Sequence, residues 1–513
     1  MIAPERSKVV VLDGASLTLE EVRSVARAGA RVGLADDARS RMIESRLLVA
    51  KIVEEALPVY GITTGFGALS NRTIPTEQVR RLQHNLLRSH AAGAGEPFPA
   101  EVVRAALLLR VNSLAAGYSG VRPELAERLL DFLNLRLHPV VPCQGSVGAS
   151  GDLAPLAHLT LPLIGEGELD TPGGRLSAAE ALRDAGLQPL ALEPKEALAL
   201  INGTQIIAAN AVLALLDAER LVAAATSVAA LSLAALGART EPFDDRIHAA
   251  RPHPGQRRIA AELRSLMGNV AVHPTRSGRI QDPYSLRCIP QIHGAVHDAL
   301  RPVRETLSIE INAATDNPLI FAADEAVLSG GNFHGHPLAL ACDSAKLAVA
   351  TLGTIAERRL NLLVDGEDRG LPPCLVKEPG VNSGYMIVHY LAASLVAENR
   401  VLAHPSSVDS IPTSAGIEDV NTMGATASRH FRQIVANVET IVAGEALAAA
   451  QACDLTGRVP GGRLGALHAR IRERVPMLES DDRMISNDIA VALQLLREGG
   501  LNAIEPEELS DGE

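Results

Sequence analysis

Residues 205–238 read QIIAANAVLALLDAERLVAAATSVAALSLAALGA. The run is dominated by Ala and Leu, holds no Pro, and carries charge only at Asp217, Glu219 and Arg220. Such a composition favours a helix well above the usual mean length. Its part from Leu221 to Ala238 is free of charge and just reaches the roughly 18 residues at which a membrane span is considered. It is mostly alanine, however, and Glu219, Arg220 and Arg239 close it off, so a buried helix of a bundle is the better reading. Small alanines permit close packing of helices.

Regions 338–364, 384–404 and 424–453 share this character. Strand-like alternation is scarce, and there is no repeat of fixed period. The expected fold is therefore mainly α: an elongated long-helix bundle with a mixed, loop-rich N-terminal domain. The boundary is placed near residue 215, giving an N-terminal domain over 1–215 and a bundle domain over 216–513 that ends in a frayed acidic tail, Glu505–Glu513. Within the first part, Val9–Leu12 reads as a strand. Thr18 with Glu21 forms a capping-box signature that opens a helix through Ala28. A second helix is expected from Asp36 to Leu57, stopped by Pro58 just before Tyr60.

The chain has 513 residues with 47% apolar and 21% charged side chains, which excludes extended disorder and a disulfide scaffold. Acidic residues number 60 against 48 basic ones, for a net charge of −12. With no Lys/Arg run, neither nucleic acid nor an anionic membrane is an expected partner; a small molecule is. Five widely spaced cysteines without a CxxC pair, and no signal peptide, suggest a reducing cytoplasm.

Aromatic residues are only 2% of the chain, so their placement carries information. Tyr60 and Phe66 lie in the Gly-rich run Tyr60–Gly67, and Tyr284 lies in Gln281–Arg287; either tyrosine taken alone reads as a packing anchor. The segment Gly145–His158 is more unusual. Its glycines lack the Gly-Lys-Ser/Thr ending of a phosphate loop, so ATP is not an expected ligand. At its centre stands Ala149-Ser150-Gly151. If the backbone bends tightly, the Gly151 nitrogen can attack the Ala149 carbonyl carbon, since Gly151 has no side chain to obstruct the approach. Loss of two waters, one from the Ser150 hydroxyl, then yields a five-membered ring with an exocyclic methylene. The backbone itself would become an electrophile.

With these residues the sequence resembles the aromatic amino acid ammonia-lyase family, whose members act on histidine, phenylalanine or tyrosine and form 4-methylidene-imidazol-5-one (MIO) from Ala-Ser-Gly. The resemblance runs from about Val9 to about Leu496. It includes Tyr60–Gly67, Ser89–Gly93, Ala149–Gly151, Leu200–Thr204, Gln281–Arg287, Thr315–Pro318, Gly330–His334 and Ser407–Ser414. It implies covalent catalysis, in which the substrate amine adds to the methylene and a base removes the Cβ proton. Tyr60 matches the base, and an ordinary tyrosine titrating near pH ~10 would need its phenolate stabilised. Arg287 matches the residue that holds the substrate carboxylate, where a guanidinium fork suits a planar anion. Asn202 and Tyr284 match positions that bind the carboxylate, amine or MIO oxygen. Gln281 lines the same site and Phe333 packs beside it.

The ring pocket distinguishes substrates within the family. Ser89-His90 resembles the histidine enzymes, and Glu418 matches a glutamate typical of them; a carboxylate favours an imidazole N–H and penalises a bare phenyl ring. The resemblance thus implies elimination of ammonia from L-histidine to give trans-urocanate. Against it, Gly416-Ile417-Glu418-Asp419-Val420 departs from the usual Asn-Gln-Glu-Asp-His, and Thr63 is commoner outside the histidine group. A phenylalanine or tyrosine ammonia-lyase, or an aromatic 2,3-aminomutase, would use the same residues. A non-enzymatic helical scaffold does not explain the ordered polar motifs, and a fumarase-type lyase does not explain Ala149-Ser150-Gly151. No metal is expected, because His334-x-His336 lacks a third ligand at recognisable spacing. The family architecture implies a homotetramer with active sites shared among subunits, so that a single chain would scatter its catalytic residues.

Overall fold

The computed structural model describes residues 9–65, 67, 72–268 and 270–504. Phe66 and the acidic segment expected to fray, 505–513, lie outside the described residues. The chain is mainly α-helical, with four small sheets of two or three strands among the described residues. Two compact units divide it. The first comprises the chain up to Leu213, then Arg304–Asp343 and Pro405–Arg429; the second comprises Ala214–Val303, Ser344–His404 and the remainder from His430.

The first unit is mixed. Strand Val10–Leu12 pairs in parallel with Val32–Leu34, in the register Val10 opposite Val32. Between them, Thr18 caps helix Leu19–Arg23: its side chain accepts from the Glu21 N–H while the Glu21 carboxylate receives the Thr18 N–H. The α-helix does not continue unchanged to Ala28, because Ser24–Ala28 widens into a π-helical turn that Gly29 ends at φ 70°. Helix Asp36–Glu54 starts where expected but ends three residues before Leu57, because beyond its cap Glu55 the backbone at Ala56 takes φ 53°. Helix Ala100–Ala115 is buried on every face from Val102 onward, two arginines included, which makes it the axis of this unit.

Most of the length of the long helices belongs to the second unit. Gln205–Leu236, His336–Val364, Met386–Leu402 and Gly424–Thr456 realise the four alanine-rich regions. Every residue from Leu221 to Ala238 is buried, so the charge-free run is a core helix, as its alanine content and flanking charges implied. Alanines at 223–225, 229, 230, 446 and 448–450 are all 3% exposed or less and let backbones approach closely. Within this apolar interior, Arg359 and Glu445 form a fully buried fork, with Nε to Oε1 at 2.6 Å and Nη2 to Oε2 at 2.9 Å.

Candidate active site

The segment Gly145–Asp152 is pinned at both ends. On one side, the Met423 N–H donates to the Val147 carbonyl at 2.9 Å and the Thr422 hydroxyl to the Gly148 carbonyl at 3.2 Å. On the other, the Asp152 N–H donates to the Gly203 carbonyl at 2.7 Å. The Asp152 carboxylate accepts the N–H groups of Ile206 and Ile207 at 3.0 and 2.9 Å, in the first turn of helix Gln205–Leu236, and the Ser146 hydroxyl at 3.0 Å. Full burial pushes Asp152 up to about 7 in spite of these donors. The backbone is thereby held bent over Ala149-Ser150-Gly151. Gly151 has φ 76°, and a Cβ on it would stand 2.1 Å from the Gly203 carbonyl oxygen, so only glycine fits. Asn202 Nδ2 donates to the Ser150 carbonyl oxygen at 2.7 Å. A bent backbone, a Gly151 without a side chain and a donor on the Ser150 carbonyl suit cyclisation of this tripeptide, and the residues present fit the MIO group.

Ala149 and Ser150 face a cavity of about 910 Å³. Tyr60, Ser89, His90, Asn202, Phe333 and Glu418 line it with them, and all belong to the first unit. Eight of the expected site residues thus meet in one unit of one chain instead of being scattered. Gly151, next in the chain, is paired with Gly203. Gln281, Tyr284 and Arg287 do not line this cavity; they belong to the second unit. There Tyr284 is 69% exposed at the start of the short helix Tyr284–Arg287, with the Arg287 guanidinium 4.7 Å from its ring centre.

His90 ends helix Thr76–His90. Its Nδ1 lies 2.9 Å from the Leu86 carbonyl oxygen, which can only accept, so Nδ1 carries the proton and Nε2 is an acceptor. Burial lowers its pKa and keeps the ring neutral. Glu418 receives the Ser150 hydroxyl at Oε1 and the Thr413 hydroxyl at Oε2, each at 2.7 Å. Tyr60 is pushed above the usual phenol range by burial, and the N–H of Gly67 opposes this only in part, while the Glu418 and Asp316 charges add to it. The stabilisation that a tyrosine base needs is therefore not supplied by these groups.

Two departures from the histidine-type pattern are now located. Thr63 is buried and turned onto its own loop, where its hydroxyl accepts the Val59 N–H at 2.9 Å; it does not line the cavity. Ile417 and Val420 do line it and add apolar surface beside Glu418. Sequence reasoning did not single out Asp152, Thr422 or Arg110 as supports of the site. Asp152 follows the tripeptide directly in an otherwise apolar stretch, which is a usable signal; Arg110 offered none.

A family model described as aromatic amino acid lyase matches residues 17–473. The chain belongs to the aromatic amino acid lyase family. Histidine ammonia-lyase of Symbiobacterium thermophilum is 53% identical over 495 residues, spanning 96% of this chain and 97% of that protein. Among solved structures, histidine ammonia-lyase from Trypanosoma cruzi superposes with a TM-score of 0.90 at 40% identity, over 98% of this chain and 97% of the other. Tyrosine aminomutase from Streptomyces globisporus gives 0.92 at 38% identity, over 98% of this chain and all of its own. The two structural relatives are named for different substrates and for different reactions, an ammonia-lyase and an aminomutase.

Proposed function

We propose that this chain eliminates ammonia from L-histidine to give trans-urocanate. The observation that carries the reading is the placing of His90 Nε2, an acceptor, and the Glu418 carboxylate around a cavity whose wall is Ala149-Ser150. An imidazole offers an N–H to either group, whereas a phenyl ring would leave the carboxylate desolvated without a partner. Relatives named histidine ammonia-lyase, about half identical over nearly the whole chain, support the same substrate.

Ala149, Ser150 and Gly151 would form MIO, with Asn202 holding the Ser150 carbonyl oxygen. Once formed, the group supplies an electrophilic methylene that turns the substrate nitrogen into a leaving group. The Ser150 hydroxyl departs as water during maturation, which removes the donor from Glu418 Oε1 and leaves that oxygen to accept the substrate imidazole N–H. Thr413 keeps Oε2 in place. Tyr60 takes the Cβ proton on its phenolate oxygen, and Phe333 shields that transfer from water. Arg287 holds the substrate carboxylate, with Tyr284 and Gln281 beside it. As part of the proposal, these three come from neighbouring chains of a homotetramer, in the cytoplasm. The Arg287 charge would offset the burial that raises Tyr60.

A second reading, elimination from phenylalanine or tyrosine, draws on Ile417 and Val420 in the cavity wall. The test incubates the purified protein separately with L-histidine, L-phenylalanine and L-tyrosine and follows the absorbance of the conjugated product. Urocanate from histidine alone is the expected result. Cinnamate or coumarate would overturn the substrate, and a β-amino acid found by chromatography would replace the lyase outcome with an aminomutase.

A further inference from the structure

Behind Asn202 stands a guanidinium with no carboxylate of its own among the described residues. Arg110 is 0% exposed on helix Ala100–Ala115. Its Nη1 donates to the Asn202 carbonyl oxygen at 2.8 Å and its Nη2 to the Ser113 hydroxyl at 2.9 Å, while its buried Nε has no partner among the described residues. The nearby anion, Asp316, is engaged by Lys195 at 2.5 Å. Arg110, Lys195 and Asp316 are each 1% exposed or less, so the guanidinium shares its nearest anion with a lysine. A fully buried guanidinium with a nitrogen left without a partner is costly, and such groups concentrate where they serve a site.

The guanidinium also packs against Gly203: a Cβ there would meet Arg110 Nη1 at 2.8 Å and Thr315 Oγ1 at 2.7 Å. Arg110 therefore grips the peptide from which both supports of the electrophile segment start. Asn202 reaches the Ser150 carbonyl oxygen, and Gly203 pairs with Gly151.

We propose that Arg110 is a positioning residue for the electrophile. It fixes the Asn202–Gly203 turn so that the Asn202 amide meets the Ser150 carbonyl oxygen, and its buried charge favours the electron density that this oxygen gains when a nucleophile adds. In such an addition the nucleophile's electron pair bonds to the former Ser150 Cβ, the methylidene π pair moves into the ring and onto that oxygen, and one solvent proton completes the balance. The inference rests on the reading that Ala149-Ser150-Gly151 matures.

The test compares full-length wild type, Arg110→Met and Arg110→Lys. Intact mass first establishes maturation as a deficit of two waters. Cyanide is then added, and its uptake is timed by the mass gain and by loss of ultraviolet absorbance. Matured Arg110→Met is expected to add cyanide at least about tenfold more slowly than wild type, with Arg110→Lys in between, since the charge returns and the fork does not. A matured, folded Arg110→Met that reacts at the wild-type rate overturns the proposal. If Arg110→Met fails to fold or mature, Arg110→Lys decides: a rate at least about threefold below wild type supports the role of the fork, and an unchanged rate overturns it. Absence of the two-water deficit in wild type itself would overturn the reading beneath, and is distinguishable from a failure at Arg110.

Discussion

The Ser150 hydroxyl donates to Glu418 Oε1 at 2.7 Å, across 268 positions of sequence. One carboxylate oxygen thus contacts the residue from which the proposed electrophile would be made, and Glu418 lines the cavity where the ring of the substrate would lie. In the proposed maturation that donor would be lost, and Thr413 would satisfy only Oε2. A half-buried carboxylate oxygen without a donor favours any ligand that brings an N–H.

Glu418→Gln should therefore damage turnover of histidine more than turnover of phenylalanine. A hydrogen bond to a charged group contributes about 1.5–3 kcal/mol, so kcat/KM for histidine should fall roughly 10- to 100-fold. Steady-state kinetics on both substrates check this. Equal losses would show that the carboxylate does not select the ring.

Gly151→Ala should abolish maturation. Its Cβ would lie 2.1 Å from the Gly203 carbonyl oxygen at a φ of 76°, so the segment must leave the bend in which Gly151 pairs with Gly203. Intact mass should show no two-water deficit, with loss of the electrophile's absorbance. A variant that still loses two waters would contradict the steric argument.

Tyr60→Phe should mature normally yet lose roughly 10²–10⁴ in kcat, the range typical of removing a positioned base. Because burial raises the Tyr60 pKa, the active phenolate becomes more abundant as pH rises, so wild-type kcat/KM should climb through the neutral to alkaline range. The residual activity of Tyr60→Phe should lack that limb. A limb kept in full would assign the proton transfer to another group.

The helices were legible because they depend on local composition. Long alanine- and leucine-rich runs gave four helices with ends within a few residues, and Thr18 with Glu21 gave a cap that needs only four consecutive positions. The members of the candidate site were legible through motifs, each short and local. Their supports were not. Arg110 and Asn202 lie 92 positions apart, and helix Ala100–Ala115 is buried on all faces, so no amphipathic stripe reveals that its arginines point inward. The π-helical turn at Ser24–Ala28 was missed for a related reason: its sequence, SVARA, is compatible with an ordinary α-helix.

In the second unit, Glu445 accepts from Arg359 and from the Ser232 hydroxyl at 2.7 Å, while Arg359 approaches His293, whose Nδ1 meets the Thr226 hydroxyl at 3.0 Å. All five side chains are fully buried. Arg359→Met leaves the Glu445 carboxylate charged and unpaired, a change that typically costs about 3–5 kcal/mol. Arg359→Met combined with Glu445→Leu removes both charges and should be milder. Chemical denaturation of the two variants checks the order, and a double variant worse than the single would refute the charge-pair account.

Asp152 should make stability depend on pH in a definite direction. Its folded pKa of about 7 lies above the ordinary 3.8, so between these values the folded chain holds a proton that the unfolded chain has released. Stability from this group is then fully present below about pH 4 and is lost as pH rises towards 7. Asp152→Asn has no proton to lose, and its side-chain oxygen can still accept the N–H groups of Ile206 and Ile207. The melting temperature of Asp152→Asn minus that of wild type should consequently increase from pH 4 to 7 and level off above that. Other carboxylates titrate in both proteins and cancel in the difference. A difference that stays flat across this range would mean that Asp152 is ionised in the folded chain throughout, held so by its three donors in spite of burial.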